Sequence, residues 1–210
     1  MKIRIIPLLS LALFVSSLVN AQNLNFKTGS EYCAHSKQLR PDRQAMDLRS
    51  PNSPKHKFDV LNYELDFDIF HCYTSPYPRN YNATNIITFK VDSTLNSIEL
   101  NANSGSLEIL SVGINGSSFT HNNNLLNITL DATYNPGDTA KVKITYSHYN
   151  VIDQAFYVGN GFVFTDSEPE GARKWFPCYD RPSDKATLTL RAKVPINVKL
   201  GSNGSLADSV

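Results

Sequence analysis

The sequence predicts an all-β fold for residues 56–210, either an antiparallel β-sandwich or a saddle-shaped sheet. Apolar and polar residues alternate with a period of two in one short segment after another, as in strands that bury one face. Turn residues separate these segments at near-regular spacing, and almost no stretch shows the period of an amphipathic helix. We therefore expect short strands that share one apolar core.

Six segments carry the alternating pattern. Their apolar positions, in chain order, are Leu61, Tyr63, Leu65, Phe67 and Ile69; Ile87, Phe89 and Val91; Leu107, Ile109 and the offset pair Val112 and Ile114; Leu126, Ile128 and Leu130; Ala140, Val142, Ile144 and Tyr146; and Ala186, Leu188, Leu190, Ala192 and Val194. Each set is expected to line the buried face of one strand.

Three groups of turn residues divide these segments. Asn115-Gly116 is typical of a β-hairpin, and residues 135–138 (Asn-Pro-Gly-Asp) are typical of a tight turn. Residues 202–204 (Ser-Asn-Gly) predict a second hairpin, whose return strand would start near Leu206. Because that strand would be cut short at residue 210, we expect the chain to be part of a longer polypeptide.

Two segments precede the β-domain. Residues 1–21 have Lys2 and Arg4, then an apolar run, then small residues before Ala21, which predicts a secretory signal peptide rather than a permanent membrane span. Residues 22–55 are polar and contain three prolines, so we expect an irregular strap lying over the domain. The mature protein is expected to be exported, to the periplasm, the cell surface or the medium, after cleavage near Ala21.

The charge of the chain is nearly balanced. Lys and Arg together number 20 and Asp and Glu 19, and no basic run exceeds two residues. Nucleic-acid-binding proteins carry a basic patch on their surface. The sequence therefore argues against a nucleic-acid partner.

The chain has three cysteines, and the predicted export makes a disulfide between two of them possible, because disulfides persist in oxidising compartments. Cys33 lies in the strap and Cys72 lies just past the first strand, so we expect a disulfide between them. Cys178 lies in an aromatic turn, where a buried free thiol that acts as a small apolar group is expected.

The stretch most suited to function is residues 161–182, where charge, aromatic residues, glycine and proline are concentrated. A short apolar strand runs into an acidic turn, residues 166–171, which cannot continue a sheet because proline lacks the amide donor. The only tryptophan of the chain follows this turn. Arg173 and Asp180 are expected to form an internal ion pair that holds the loop.

No catalytic residue or metal ligand is predicted in this chain. Zinc hydrolases need three protein ligands and a carboxylate base, usually in a His-Glu-x-x-His motif, which is absent. The five histidines, none with another histidine four residues on, are interpreted as ordinary solvated side chains: His35, His56, His71, His121 and His148. The acidic turn lacks the other ligands of an EF-hand calcium loop, and its serine is not in a nucleophile elbow.

The residue pattern Thr165-x-x-Glu168-Pro169-x-x-Ala-Arg, followed by Phe176-Pro-Cys-Tyr-Asp-x-Pro, resembles the aminopeptidase N family of zinc metallopeptidases. Lys185-Ala and the Ser-Asn-Gly at residues 202–204 extend the resemblance. It implies an N-terminal β-domain whose loop reaches into the zinc site of a following catalytic domain. The zinc, and the catalytic domain that holds it, would then lie outside this chain, and the parent enzyme would act on peptides.

The resemblance also implies a role for Glu168. At the matching position the family has a side chain that takes the free α-ammonium of the substrate, and the peptide bond after it tends to be cis. An α-ammonium is mostly charged at neutral pH, so a carboxylate suits it. Asp166 stands where many members carry glutamine, and is a candidate for the pocket of the first side chain.

The leading hypothesis is therefore the substrate-anchoring domain of an exported zinc aminopeptidase, a domain that would be inactive alone. The alternative is a non-catalytic β-sandwich that serves as a binding or interaction module. A His-Glu-x-x-His motif beyond residue 210 would favour the enzyme.

Overall fold

The computed structural model describes residues 57–209, so the predicted signal peptide and strap lie outside the described residues. This part of the chain forms ten strands and two single-turn 3₁₀ helices. The strands are β1 Phe58–Asp68, β2 Tyr81–Val91, β3 Leu95–Asn101, β4 Leu107–Ile114, β5 Gly116–Asn122, β6 Leu125–Tyr134, β7 Thr139–His148, β8 Phe156–Gly159, β9 Phe162–Thr165 and β10 Thr187–Lys193, and the 3₁₀ helices are Phe70–Tyr73 and Ala172–Lys174. No helix among these residues is long and apolar enough to cross a membrane.

The strands form three sheets. The largest has the order β10-β1-β2-β7-β4, the second β3-β6-β5, and β8 and β9 form a hairpin of their own. Every pair is antiparallel except β1 with β10, which run parallel from Asn62 opposite Thr187. The all-β class with mostly antiparallel pairing is thus confirmed. The last strand, β10, departs from the antiparallel pairing.

A single apolar core joins the two larger sheets. Alternate residues of the central strands β2 and β7 are buried, and β6 supplies Leu126, Ile128 and Leu130 from the second sheet. Each fully buried aliphatic side chain contributes about 1.5–3 kcal/mol relative to exposure. The predicted alternation is confirmed for these three strands.

Two bulges change the predicted alternation in the largest sheet, one in β1 and one in the edge strand β4. The register between β1 and β2 shifts between Val60 and Asn62, which turns Leu61 outward to 40% exposure. The prediction of Leu61 as a core residue was wrong for this reason. A second shift, after Ile109 of β4, accounts for the offset in the pattern there and leaves Ile114 55% exposed.

The hairpin predicted at Asn115-Gly116 is not formed. The chain passes here from β4 in the large sheet to β5 in the second sheet. The Asn115 side chain fixes this crossing, because its Oδ1 accepts the Lys141 amide at 3.0 Å and its Nδ2 donates to Asp131 at 3.2 Å. The turns that close hairpins are Asn123-Asn124, with φ of 51° and 65°, and Asn160-Gly161.

The remaining turn predictions differ in outcome. Residues 135–138 form the predicted turn between β6 and β7, where the Asp138 amide donates to the Asn135 carbonyl at 3.0 Å and Gly137 has φ of 96°. Near Gly204 the backbone bends with φ of 95°. No return strand follows it within the described residues, so the second predicted hairpin is not seen there.

Truncation of a core leucine should destabilise this fold far more than truncation of a surface leucine. Leu126→Ala removes a side chain that is 0% exposed and should lower the free energy of unfolding by about 2–5 kcal/mol. Leu110→Ala, at a position 50% exposed, is the matched control and should change it by less than about 0.5 kcal/mol. Urea unfolding measures both, and equal losses would contradict this core assignment.

Candidate functional site

The β8–β9 hairpin leads the chain into the acidic turn. Phe156 of β8 pairs with Thr165 of β9, and the Tyr157 and Phe164 rings stack with centroids 4.6 Å apart. Immediately after β9, the Asp166 amide donates to the Ala155 carbonyl at 2.8 Å. The first residue of the turn is therefore fixed to the start of the hairpin.

The acidic turn folds back on itself over residues 166–171. Asp166 is only 6% exposed, and its Oδ1 accepts the Glu168 amide at 3.2 Å. The Gly171 amide donates to the Ser167 carbonyl at 2.9 Å, and a Cβ at Gly171 would lie 2.9 Å from the Asp166 carbonyl oxygen. Glycine is required there because of this close approach. Glu168 is exposed, and the Glu168–Pro169 bond is cis, which confirms that prediction.

Arg173 joins the acidic turn to the segment that follows it. Its Nε donates to Asp180 Oδ2 at 2.7 Å, and its guanidinium also donates to Glu170 Oε2 at 2.7 Å. Arg181 binds the other oxygen of Glu170 at 2.8 Å. The predicted Arg173–Asp180 pair is confirmed, and Glu170 joins it as a second partner. The planar guanidinium can serve both carboxylates at once.

The segment after Arg173 lies over the core and is hydrogen-bonded by side chains from the sheets. Tyr81 of β2 donates its hydroxyl to the Trp175 carbonyl, and Asn85, also of β2, donates to the Pro177 carbonyl at 2.7 Å. Ser106 donates to the Lys174 carbonyl at 2.7 Å. These buried polar side chains satisfy carbonyls that regular strand pairing does not reach.

The second sheet holds the same segment through β3. Asn101 and Cys178 exchange two backbone hydrogen bonds, of 2.7 and 3.0 Å, and the Asp180 amide donates to the Asn101 side chain at 3.1 Å. From β1, the Tyr63 hydroxyl accepts the Tyr179 amide at 3.0 Å. Strands of both large sheets therefore fix the segment.

Aromatic packing adds to these hydrogen bonds. Trp175 packs edge-on against Phe67 of β1 with centroids 5.5 Å apart, and against Phe176 at 4.4 Å. Its indole nitrogen donates to Ser167 Oγ at 3.0 Å, so the tryptophan links the core to the acidic turn. Such edge-to-face pairs are worth about 0.5–1.5 kcal/mol beyond the area they bury.

The cysteines have different outcomes. Cys178 is a buried free thiol, as predicted, and burial raises the pKa of this thiol well above its ordinary value. Cys72 is also buried, and burial raises the pKa of its thiol to about 11. Its predicted partner Cys33 lies outside the described residues, so the disulfide stays a prediction that peptide mapping of the unreduced protein would test.

The interpretation of His148 as a solvated residue was wrong. Its side chain is 0% exposed at the end of β7, with Nε2 2.8 Å from Asp153 Oδ2 and Nδ1 3.0 Å from the Arg79 carbonyl oxygen. Its position two residues after Tyr146, in phase with the buried residues of β7, was the signal in the sequence. Within residues 57–209, no group of three or more His, Cys, Asp or Glu side chains is placed to hold a metal ion.

The comparisons with known proteins converge on one family. The sequence model described as Peptidase M1 N-terminal domain matches residues 60–210. A two-domain M1 zinc metallopeptidase variant bound to L-tryptophan is 23% identical, with a TM-score of 0.58, over 67% of this chain and 34% of its own. The M1 zinc metallopeptidase from Deinococcus radiodurans is 23% identical, with a TM-score of 0.58, over 67% of this chain and 33% of its own.

A variant of the Deinococcus radiodurans protein bound to a Tyr-Ser-Ala substrate is 24% identical, with a TM-score of 0.59, over 71% of this chain and 35% of its own. These likenesses show a shared fold. This chain spans about a third of the length of these structures. No curated protein sequence matches it significantly.

Replacement of Arg173 by lysine should loosen the acidic turn, because one ammonium cannot bind Glu170 and Asp180 in the same geometry. Arg173→Lys should lower the free energy of unfolding by about 1–3 kcal/mol. Arg181→Lys, at a side chain 50% exposed, is the control and should cost less than about 1 kcal/mol. Urea unfolding of both variants tests this, and an Arg173 variant as stable as the control would contradict it.

Proposed function

Since the chain belongs to the peptidase M1 N-terminal domain family, we propose that it is the substrate-anchoring N-terminal domain of an exported zinc aminopeptidase. In this proposal the chain binds the free α-ammonium of a peptide. The zinc and the catalytic residues belong to a domain outside this chain. The substrates are peptides that lose their N-terminal residue.

The exposed position of Glu168 on a braced turn carries the proposal. Of the three acidic residues in the turn, Asp166 is buried, the Glu170 side chain is 8% exposed and bound by two arginines, and Glu168 is exposed. A carboxylate about 3 Å from an α-ammonium forms a charge-assisted hydrogen bond worth roughly 1.5–3 kcal/mol. Glu168 is thus the acidic residue of the turn that lies exposed at the surface of the domain.

The role proposed for Glu168 is an anchor and not a general base. A general base has to lie within hydrogen-bond reach of the water that it activates, and in a zinc peptidase that water is bound to the metal. The described part of this chain holds no metal-binding group near Glu168. Asp166, two residues before the anchor, is proposed to border the pocket for the first side chain of the substrate. Its carboxylate also holds the backbone amide of Glu168.

A non-catalytic interaction module is the second candidate. The turn would then bind a partner protein through the same exposed carboxylate, without hydrolysis. Sequence downstream of residue 210 separates the two candidates, because the enzyme requires the three zinc ligands and the carboxylate base that this chain lacks.

Removal of the Glu168 charge should weaken substrate binding in the longer peptidase. Glu168→Gln and Glu168→Ala should lower kcat/KM for peptides with a free N-terminus by about 10- to 150-fold, mostly through KM, because the ion pair with the ammonium is lost. Glu99→Gln, at an exposed site on β3, is the control and should leave the kinetics unchanged. Unchanged kinetics of both Glu168 variants would contradict the anchoring role.

The 210-residue chain alone should neither hydrolyse aminoacyl reporter substrates nor retain zinc. The reason is that zinc needs three protein ligands in one cluster. Metal analysis after dialysis and a reporter assay with added zinc measure these two properties. Stoichiometric zinc, or hydrolysis that a chelator abolishes, would place the catalytic site inside this chain. Either result would contradict the proposal that the zinc site lies in another domain.

A further inference from the structure

A buried polar pair lies at the base of the hairpin that carries the acidic turn. His148 ends β7, Asp153 lies in the loop before β8, and their side chains are 0% and 5% exposed. The His148 ring stacks on Tyr81 at 5.0 Å with an interplanar angle of 8°, and packs against Phe156 at 5.4 Å. The pair is therefore enclosed by aromatic rings.

Hydrogen bonds hold both side chains of this pair in place. Nδ1 of His148 faces the Arg79 carbonyl oxygen, which only accepts, so Nδ1 carries a proton. Burial opposes a charge on Asp153, but hydrogen bonds from His148 and from the Phe156 and Ala155 amides outweigh it and hold the pKa of the carboxyl below its ordinary value. Nε2 of His148 lies 2.8 Å from Asp153 Oδ2, so the ring is hydrogen-bonded through both of its nitrogens.

A continuous set of hydrogen bonds runs from this pair to the acidic turn. Asp153 Oδ1 accepts the Ala155 amide at 2.8 Å and the Phe156 amide at 2.9 Å. The Ala155 carbonyl accepts the Asp166 amide at 2.8 Å, and Asp166 Oδ1 accepts the Glu168 amide at 3.2 Å. Asp153 thus holds the peptide unit whose carbonyl accepts the first amide of the turn.

We propose that the hydrogen-bonded pair His148–Asp153 is a positioning element for the acidic turn, which it acts on through the backbone of Ala155. His148 fixes the Asp153 carboxylate with one oxygen, so that the other oxygen can orient two successive amides. The orientation of Ala155 then sets the place where Asp166, and with it Glu168, leaves the hairpin. Neither residue of the pair needs to touch the substrate.

This structural link does not depend on the proposed function. Its consequence for catalysis does rest on the role proposed for Glu168. Measurements on the turn therefore test the structural link, and measurements of activity test the role of Glu168, independently of each other.

Amide hydrogen exchange of the 210-residue chain tests the link. Asp153→Ala should speed exchange by about tenfold at the amides of Ala155 and Phe156, which lose their acceptor. Exchange should speed up by the same factor at the amides of Asp166 and Glu168, to which the Asp153 side chain does not bind. Unchanged exchange at Asp166 and Glu168 would overturn the proposal, because the effect would then end within the loop.

Asp68→Ala is the matched control. Asp68 also accepts an amide two residues on, that of Phe70 at 3.3 Å, and pairs with a cation, Lys193, at 3.0 Å, but its side chain is 50% exposed. This variant should leave exchange at Asp166 and Glu168 unchanged. Faster exchange at these two amides in the control would show that any lost carboxylate has this effect, which would also overturn the proposal.

A measurement on the unaltered chain keeps the test decisive if Asp153→Ala does not fold. Native-state exchange at low denaturant should show that the amides of Ala155, Phe156, Asp166 and Glu168 open together with one free energy. Independent opening of the turn would contradict the link.

In the longer peptidase, Asp153→Ala should raise KM with a smaller effect on kcat, as expected for a misplaced anchor. A lower kcat at unchanged KM would contradict the positioning role. If Glu168 variants leave the kinetics unchanged while the exchange link is present, the proposed function fails and the structural link stands.

Discussion

An irregular segment that crosses an apolar core has to have its peptide groups hydrogen-bonded, and the site depends on how this chain meets that constraint. Tyr81, Asn85 and Ser106 project from the core to the carbonyls of Trp175, Pro177 and Lys174. A buried carbonyl without a partner would cost roughly 1–3 kcal/mol. The segment is therefore held in one course over the sheets, and the acidic turn that precedes it inherits a defined position.

Much of the fold could be predicted from the sequence, because burial of one face of a strand leaves a period of two. The exceptions have local causes. A bulge at Leu61 reverses the faces of β1, and nothing in the one-dimensional pattern marks an inserted residue. The hairpin predicted at Asn115-Gly116 is not formed, because this turn joins two sheets and pairing partners depend on long-range packing. The parallel pairing of β10 is equally non-local.

The site was predicted in part. The Arg173–Asp180 pair follows from residues close together in the sequence, whereas Glu168 was singled out through the family resemblance. The side chains that hold the segment come from 68 to 116 residues away, and no local pattern connects them with it. Asn85 had one signal, since it is a polar residue in phase with the buried positions of β2. A polar side chain at such a position predicts a buried hydrogen-bond partner.

Both large sheets fix the segment after the acidic turn, and through this segment they fix the turn. Nitrogen-15 relaxation of the 210-residue chain measures this order through the backbone order parameters of residues 164–182. We expect values equal to those of the core strands, about 0.85. Values below about 0.6 across residues 166–180, with ordered strands on either side, would contradict it.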